Sequence, residues 1–357
     1  GELKHVTDSF LRDIEVDTTP VYSDEEAIDE AVSRWDTGWQ VLTEDPTTEL
    51  LVLRHEGVDH LVWSVQLEEL GETETPQKPR IFIDAHTGEE VWRYDNLRSG
   101  SGTSNYSGTV SFDTYSDGST YYLEDTGRNI GTYTFNNTSS SLYYLTDSDD
   151  SWTGVEEGVD AHYGAAATVD YFDATHGRSG LDDAGGPGYI GSLDGGPDTI
   201  SLLVNHSTNY ANAYFSGDYF VFGDGDGSTF GPLTSLDIVA HELTHAVNSS
   251  AAGFVYANES GALDEAIADI FAALVEKETY GDSSDIWLIG EDCYTPGSSG
   301  DALRYMDDPT ADGISRDHYS SRYTGSADNG GVHYNSGIGN MMFYLLSEGG
   351  SLSLIHI

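Results

Sequence analysis

The segment Ser235-Leu236-Asp237-Ile238-Val239-Ala240-His241-Glu242-Leu243-Thr244-His245-Ala246-Val247-Asn248 decides how the rest of the chain is read. Apolar side chains recur through it at helical spacing, which predicts a helix over 236–248. Residues four apart project from the same face of a helix, so the imidazoles of His241 and His245 can meet one ion. Taken alone, the pattern also fits two histidines on an ordinary helix. Its surroundings favour the ion. Gly253 separates this helix from a second, predicted over 261–279, which carries Glu265 after nineteen intervening residues. Two neutral histidines and one carboxylate make a three-ligand catalytic zinc site with a position open for water. Glu242, between the histidines, projects toward the same side and is the natural general base for that water. Asp269, one turn after Glu265, is placed to accept a hydrogen bond from the non-ligating nitrogen of His241 or His245 and so fix its tautomer.

Downstream, a last helix is predicted from Ser336 to about Ser347, stopped by Gly349-Gly350. Before it, Asp328-Asn329-Gly330-Gly331-Val332-His333 puts a histidine beside an acid in what reads as a flexible Gly-rich loop. Upstream, Asp160–Tyr171 reads as a helix with Ala161, Ala165, Val169 and Phe172 on one stripe, ending before Gly177. Around it the pattern is one of strands. Thr109–Phe112 and Thr120–Leu123 flank the turn signal Ser116-Asp117-Gly118, Ile200–Val204 is a buried run, and Tyr214-Phe215 and Tyr219–Phe222 fit a hairpin. At the start, Ser23-Asp24-Glu25-Glu26 is a capping box opening an amphipathic helix through Trp35. Strands follow at Leu50–Leu53, Leu61–Leu67 and Ile81–Ile83, with a turn at Asp84–Gly88 before Val91 and Trp92. The fold class is therefore α+β: a small α+β module over 1–95, a Ser/Gly-rich linker and maturation region over 96–104, a β-rich half over 105–234 and a helical half over 235–350.

Composition removes whole classes of function. Sixty-two acidic against 14 basic residues in 357 give a formal charge of −48, which repels phosphate backbones and anionic membrane surfaces, so neither nucleic acid nor membrane is an expected partner. Such an acidic coat suits solubility at high salt; a calcium-binding role for some of the acids is the alternative. The single Cys293 excludes an internal disulfide framework, a zinc ribbon and an iron–sulfur site. No run of 18 apolar residues is present. Gly1 in place of Met, without a basic-then-apolar leader, reads as a piece of a longer secreted precursor.

His241–Val247, Asn258-Glu259-Ser260-Gly261-Ala262-Leu263-Asp264-Glu265-Ala266 and Asn329–Gly337 together, in order and spacing, resemble the thermolysin family of secreted neutral metalloendopeptidases from about residue 105 to 350. Residues 1–95 resemble the latter part of that family's propeptide, a PepSY-type module that assists folding and inhibits the enzyme until cleaved. The resemblance implies one catalytic zinc on His241, His245 and Glu265, with Glu242 deprotonating the attacking water. It implies His333 and Tyr256 as donors to the oxyanion, Asp328 orienting His333, and Arg304 contacting a substrate carbonyl. It implies Asn212 and Ala213 as the edge that takes substrate as an added strand. Phe230, Leu233, Ile238, Ile289 and Leu303 fall where the family lines the pocket for the residue after the scissile bond, and all are apolar; for each alone, ordinary core is the plainer reading. Asp237, Glu276, Glu291 and Asp292 stand at calcium-ligand positions. Leu288 stands where a further acid is expected, which implies one ion there rather than two. The run Gly223–Gly227 lacks the terminal Glu of an EF-hand and reads as a tight turn.

The resemblance fades after Gly350, and the tail 351–357 is expected to be a non-matching end, as of a truncated gene. The function implied is a secreted zinc endopeptidase acting on protein and peptide substrates, with its own propeptide as intramolecular inhibitor. Two rivals stand beside it: a zinc hydrolase of non-peptide substrates, and an inactive secreted fragment that binds calcium and zinc without turnover.

Overall fold

A computed structural model describes residues 16–35, 42, 45–55, 58–67, 79–95 and 100–349, in two compact units divided between Arg98 and Ser99. The tail 351–357 and residues 96–99 lie outside the described residues.

In the first unit, helix α1 (Asp24–Arg34) is followed by β1 (Thr47–His55), β2 (Val58–Gln66), β3 (Pro79–Asp84) and β4 (Glu90–Asp95), paired in that order as an antiparallel sheet. The capping box forms as the sequence predicts: Ser23 Oγ accepts from Glu26 N at 3.2 Å, and Glu26 Oε2 accepts from Ser23 N at 2.9 Å. Ala27, Ala31 and Val32 bury their stripe against Val65, Ile81 and Ile83. Asp84 Oδ1 accepts from His86 N and Thr87 N and tightens the turn into β4. Gly88 there has φ +71°, and the ring of Tyr22 fills the space a side chain would need.

The second unit opens with short strands: β5 (Gly100–Thr103), β6 (Thr109–Phe112), β7 (Tyr115–Ser116), β8 (Tyr121–Tyr122), β9 (Glu124–Asp125), β10 (Ile130–Thr134), β11 (Tyr143–Tyr144), β12 (Thr146–Asp147) and β13 (Ser151–Trp152). Helix α2 (Glu156–His176) follows, closed by Gly177 in the left-handed region. Then come β14 (Ile190–Gly191), β15 (Asp198–Val204), β16 (Ala213–Phe215) and β17 (Phe220–Phe222). The main sheet runs β11-β10-β15-β17-β16, with β9 on β10 and β14 on β15, and β16 at its edge. Helices α3 (Leu236–Ala251), α4 (Asn258–Tyr280) and α5 (Asp328–Glu348) complete the unit, with β18 (Leu288–Ile289) and β19 (Arg304–Tyr305) pairing between α4 and α5. Phe112, Trp152, Phe172, Phe220 and Leu243 belong to one buried cluster that joins the strands, α2 and α3.

Three expectations need correction. The stretch 96–104 is not linker throughout: Gly100–Thr103 pairs with β6 and β13, and Gly100 and Gly102 are buried, because small residues let Phe112 and Trp152 approach the backbone. The Asp117 turn joins β7 to β8, whereas Thr109–Phe112 pairs back to β5. Asp117 Oδ1 accepts from Ser119 N and Thr120 N, so only two residues on each side remain to pair around that turn. Last, the stretch before Ser336 is not a flexible loop. Asn329, Gly330 and Gly331 adopt left-handed φ values, and regular helix runs from Val332, so His333 stands on a helix.

Candidate active site

Helix α3 is buried along nearly its whole first three turns, from Leu236 to Thr244, which fixes the rotation that turns His241 and His245 toward α4. Helix α4 is held close to α5 at Gly261, where an added Cβ would lie 2.5 Å from Val332 Cγ1. That close approach brings Glu265 of α4 and His333 of α5 into one site.

At its centre three ligand atoms, one each from His241, His245 and Glu265, lie within 4.8 Å of one another. The two Nε2 atoms are 3.2 Å apart, and Glu265 reaches them at 3.3 Å (His241) and 3.6 Å (His245). Glu265 Oε2 is buried without a hydrogen-bond partner. Asp269, also buried, lies 2.8 Å from His241 Nδ1. Burial opposes charge on His241, yet Asp269 and Glu265 hold its pKa up to about 10. For Glu265, burial works the other way and is outweighed by the histidines, which keep its carboxyl well below the usual range. Arg304 balances Asp269, so Glu265 is the buried carboxylate that demands further positive charge at this point. A dication fits that demand, and two imidazoles with one carboxylate are a donor set that suits zinc.

The surrounding residues are placed as follows. Glu242 is buried on α3 between the two histidines. Tyr256 donates its hydroxyl to Glu265 Oε1 and lies 3.4 Å from His333 Nε2. Asp328 holds His333 twice: Oδ2 accepts from the His333 backbone N at 2.8 Å, and Oδ1 lies 2.6 Å from Nδ1. Burial together with the charges of Glu265 and Glu242 pushes the Tyr256 phenol far up. Arg304 is held by Asp269 through Nε at 2.8 Å and Nη2 at 2.6 Å, a bidentate pair under the metal-facing cluster. Asn340 of α5 also donates to Asp269, at 2.8 Å.

Sequence reasoning offered Asp269 to either histidine; in the structure it meets His241. The partner of His245 is Asp264, 3.0 Å from Nδ1, which in turn accepts from Asn248 Nδ2 at 2.7 Å. Asp264 was not singled out. Its signal was present in the adjacent acids Asp264-Glu265, but which of two neighbouring acids faces a given imidazole depends on how α3 and α4 cross.

The outer residues divide into three groups. Asn212 is exposed just before edge strand β16, Ala213 opens that strand, and the Asn212 carbonyl accepts from Gly223 N. Leu233, Ile238 and Ile289 are buried in the main core with Phe230 packed on it, and Leu303 lies against Gly290. Asp237, Glu276, Glu291 and Asp292 lie near enough for the charge of Asp237 to raise each of the other three. Glu276 Oε2 and Glu291 Oε2 are buried without partners; burial, and then the neighbouring acids, raises Glu276 to about 8 and Glu291 to about 10. The Gly223–Gly227 run is a turn in which Asp226 Oδ1 accepts from Ser228 N, Thr229 N and Phe230 N.

Comparison with known proteins agrees with this geometry. Residues 99–249 match the family model described as the thermolysin metallopeptidase catalytic domain, and residues 252–356 match that of its alpha-helical domain. The chain belongs to the thermolysin family of metallopeptidases. Bacillolysin of Brevibacillus brevis is 48% identical to this family member over 314 residues, which are 86% of the chain and 55% of that protein. Neutral protease B of Bacillus subtilis is 38% identical over 357 residues, 94% of the chain and 62% of that protein. The chain thus spans a little over half the length of these relatives. Among solved structures, the precursor of protealysin, a metalloproteinase from Serratia proteamaculans, aligns with a TM-score of 0.52 at 30% identity, over 61% of this chain and 67% of that one. The thermolysin-family match reaches residue 356, beyond Gly350, where reading by motifs had ended the resemblance. The final residues carry no motif of their own, so only a whole-domain comparison registers them. Among the described residues no helix is long and apolar enough to cross a membrane.

Proposed function

We propose that this thermolysin-family chain is a zinc-dependent endopeptidase that hydrolyses peptide bonds with an activated water. The observation that carries the reading is the convergence of His241, His245 and Glu265 within 4.8 Å, beside the buried Glu242 and the Tyr256–His333 pair. His241, His245 and Glu265 would hold the metal. Zinc, when bound, lowers the pKa of water from 15.7 to roughly 7 and polarises a carbonyl.

The protein's own groups account for the remaining chemistry. Glu242 takes the proton from the attacking water and delivers it to the leaving amine. His333, oriented by Asp328, and Tyr256, whose hydroxyl turns from Glu265 to the substrate, donate to the oxyanion as it forms. Asp269 and Asp264 hold the two imidazoles with Nε2 toward the ion. Edge strand β16, with Asn212 and Ala213, takes the substrate backbone as an added strand. Arg304, fixed by Asp269, presents its guanidinium toward a substrate carbonyl. The apolar side chains Phe230, Leu233, Ile238, Ile289 and Leu303 favour an apolar residue just after the scissile bond.

Three further parts belong to the same reading. The unit before Ser99 is a propeptide that inhibits the enzyme until cleaved, a role supported by its separation as a compact unit and by the likeness to a protealysin precursor. Calcium sits among Asp237, Glu276, Glu291 and Asp292, where buried carboxylate oxygens lack partners. The enzyme works outside the cell, which suits its acidic coat.

Cleavage of a peptide library, read by mass spectrometry with zinc quantified, tests the reading. Cuts before Leu, Phe or Ile that disappear in Glu242→Ala, at unchanged zinc content, are expected. Zinc-loaded protein that cuts an ester but no peptide would transfer the chain to the non-peptide hydrolases.

A further inference from the structure

We propose that Glu124, Ser192 and Asp194 form a calcium site that ties the β14–β15 hairpin to strand β9. The site lies in the β-rich half and shares no residue with the zinc cluster or with the acids around Glu276.

Glu124 stands on β9 opposite Gly131 of β10 and is only 1% exposed. One oxygen of its carboxylate is satisfied: Oε1 accepts from Ser192 Oγ at 2.6 Å and from Leu193 N at 2.7 Å. The other, Oε2, is buried with no hydrogen-bond partner. Such an atom is costly unless something outside the described hydrogen bonds meets it. The hairpin supplies a second acid. Gly195, with φ +82°, turns the loop after β14 so that Asp194 Oδ1 lies 2.7 Å from the same Ser192 Oγ. A hydroxyl carries one proton and can donate to one acceptor. Ser192 therefore cannot donate to both carboxylates, and one acidic oxygen is left facing its lone pairs; Asp194 Oδ1 also accepts from Gly196 N at 2.7 Å. Among the described residues no lysine, arginine or histidine pairs with Glu124 or Asp194. Burial holds the Glu124 carboxyl above its ordinary range against the lowering effect of Ser192 and Leu193, and the charge of Asp194 adds to the rise.

A cation resolves all of these features together. It neutralises both acids, coordinates the orphaned Oε2 and leaves the Ser192 proton free for one of them. The donors are oxygen throughout, with neither nitrogen nor sulfur, which selects a hard ion. Calcium accepts an irregular set of carboxylate and neutral oxygens and fills its remaining positions with water, and Asp194 is exposed on the open side. The consequence is mechanical: Ile190 and Gly191 of β14 pair with Thr199 and Asp198 of β15, and an ion shared with β9 would reinforce the bonds from Ser192 and Leu193 to Glu124 that hold the loop Ser192–Pro197.

The test uses the full chain, dialysed against buffers of set free calcium and analysed by plasma mass spectrometry for calcium and zinc. Glu124→Gln and Asp194→Asn should each bind one calcium fewer per chain than the parent, with zinc unchanged. Asp194 is exposed, so Asp194→Asn retains the fold and decides the matter even if Glu124→Gln does not fold. Parental calcium content in Asp194→Asn overturns the proposal. So does an equal loss in Asp218→Asn, an acid of another surface turn, because the loss would then reflect overall charge.

Discussion

Removing the carboxylate of Asp264 should weaken zinc binding although Asp264 is not a ligand. Its Oδ1 lies 3.0 Å from His245 Nδ1, and the pair is largely shielded from water. Burial disfavours charge on His245, but the Asp264 hydrogen bond raises its pKa overall, so the pairing makes the imidazole more basic while directing Nε2 at the ion. Loss of such an outer partner costs about 10–100-fold in metal affinity, which is ~1.4–2.8 kcal/mol. Asp264→Ala is the full deletion. It should not unfold α3, because Asn248 Nδ2 keeps its bond to the Asp264 backbone carbonyl at 3.1 Å. Asp264→Asn keeps an acceptor but loses the charge; charge-assisted bonds are roughly twice as strong as neutral ones, so a loss of about tenfold or less is expected. The assay is competition with a chromophoric zinc chelator at neutral pH, with circular dichroism as the fold control. Equal zinc affinity in the parent, Asp264→Asn and Asp264→Ala would refute the reasoning, and an Asn variant weaker than Ala would show that charge is not what the site uses.

The remaining predictions concern the other groups. Glu242→Gln should keep zinc and lose at least about 10²-fold in kcat, as expected for a general base; peptide hydrolysis near the parental rate would remove Glu242 from the chemistry. Tyr256→Phe and His333→Gln should each lower kcat by about 10²–10³ with little change in zinc content, the cost of one oxyanion donor, and a rise in KM alone would assign them to binding instead. Without calcium, the raised carboxyls of Glu276 (about 8) and Glu291 (about 10) mean that the native state holds protons that the unfolded chain releases above about 4.5. Stability should therefore fall as pH rises from about 4.5 through 8 and beyond, and added calcium should reverse the trend. Melting curves at several pH values, with and without calcium, check the sign; a flat profile would contradict it. Gly225→Ala should destabilise the fold, since φ is +67° and a Cβ would come within 2.2 Å of Phe230 O, and an unchanged Tm would show that this turn relaxes freely.

How much was legible in the sequence follows from how local each signal is. The capping box at Ser23, the α3 stripe and the left-handed stop at Gly177 are set within a turn or two, and the structure has them where the pattern put them. The strand partners of Thr109–Phe112 are not legible from the sequence, because turn chemistry names a reversal without saying which flanking residues pair across it. The strand inside 96–104 was hidden because Gly and Ser read as linker, whereas here their smallness is what lets aromatic side chains cover the backbone. His333 reads as a loop residue because Asn329-Gly330-Gly331 is a helix breaker in sequence; four residues of positive φ, Asp328 to Gly331, in fact open α5 and regular helix follows from Val332.

The sequence by itself determined that two imidazoles share a face, that an acid follows on a second helix, and that nucleic acid is a poor partner for a chain with charge −48. These are consequences of helical period and of counting. Only the tertiary structure decided that Asp264, not Asp269, serves His245, that Asp269 is shared among His241, Arg304 and Asn340, and that Ser192 stands between Glu124 and Asp194. Each of these depends on the crossing of separate elements. Such crossings are set by close approaches such as Gly261 on Val332, which no local periodicity encodes.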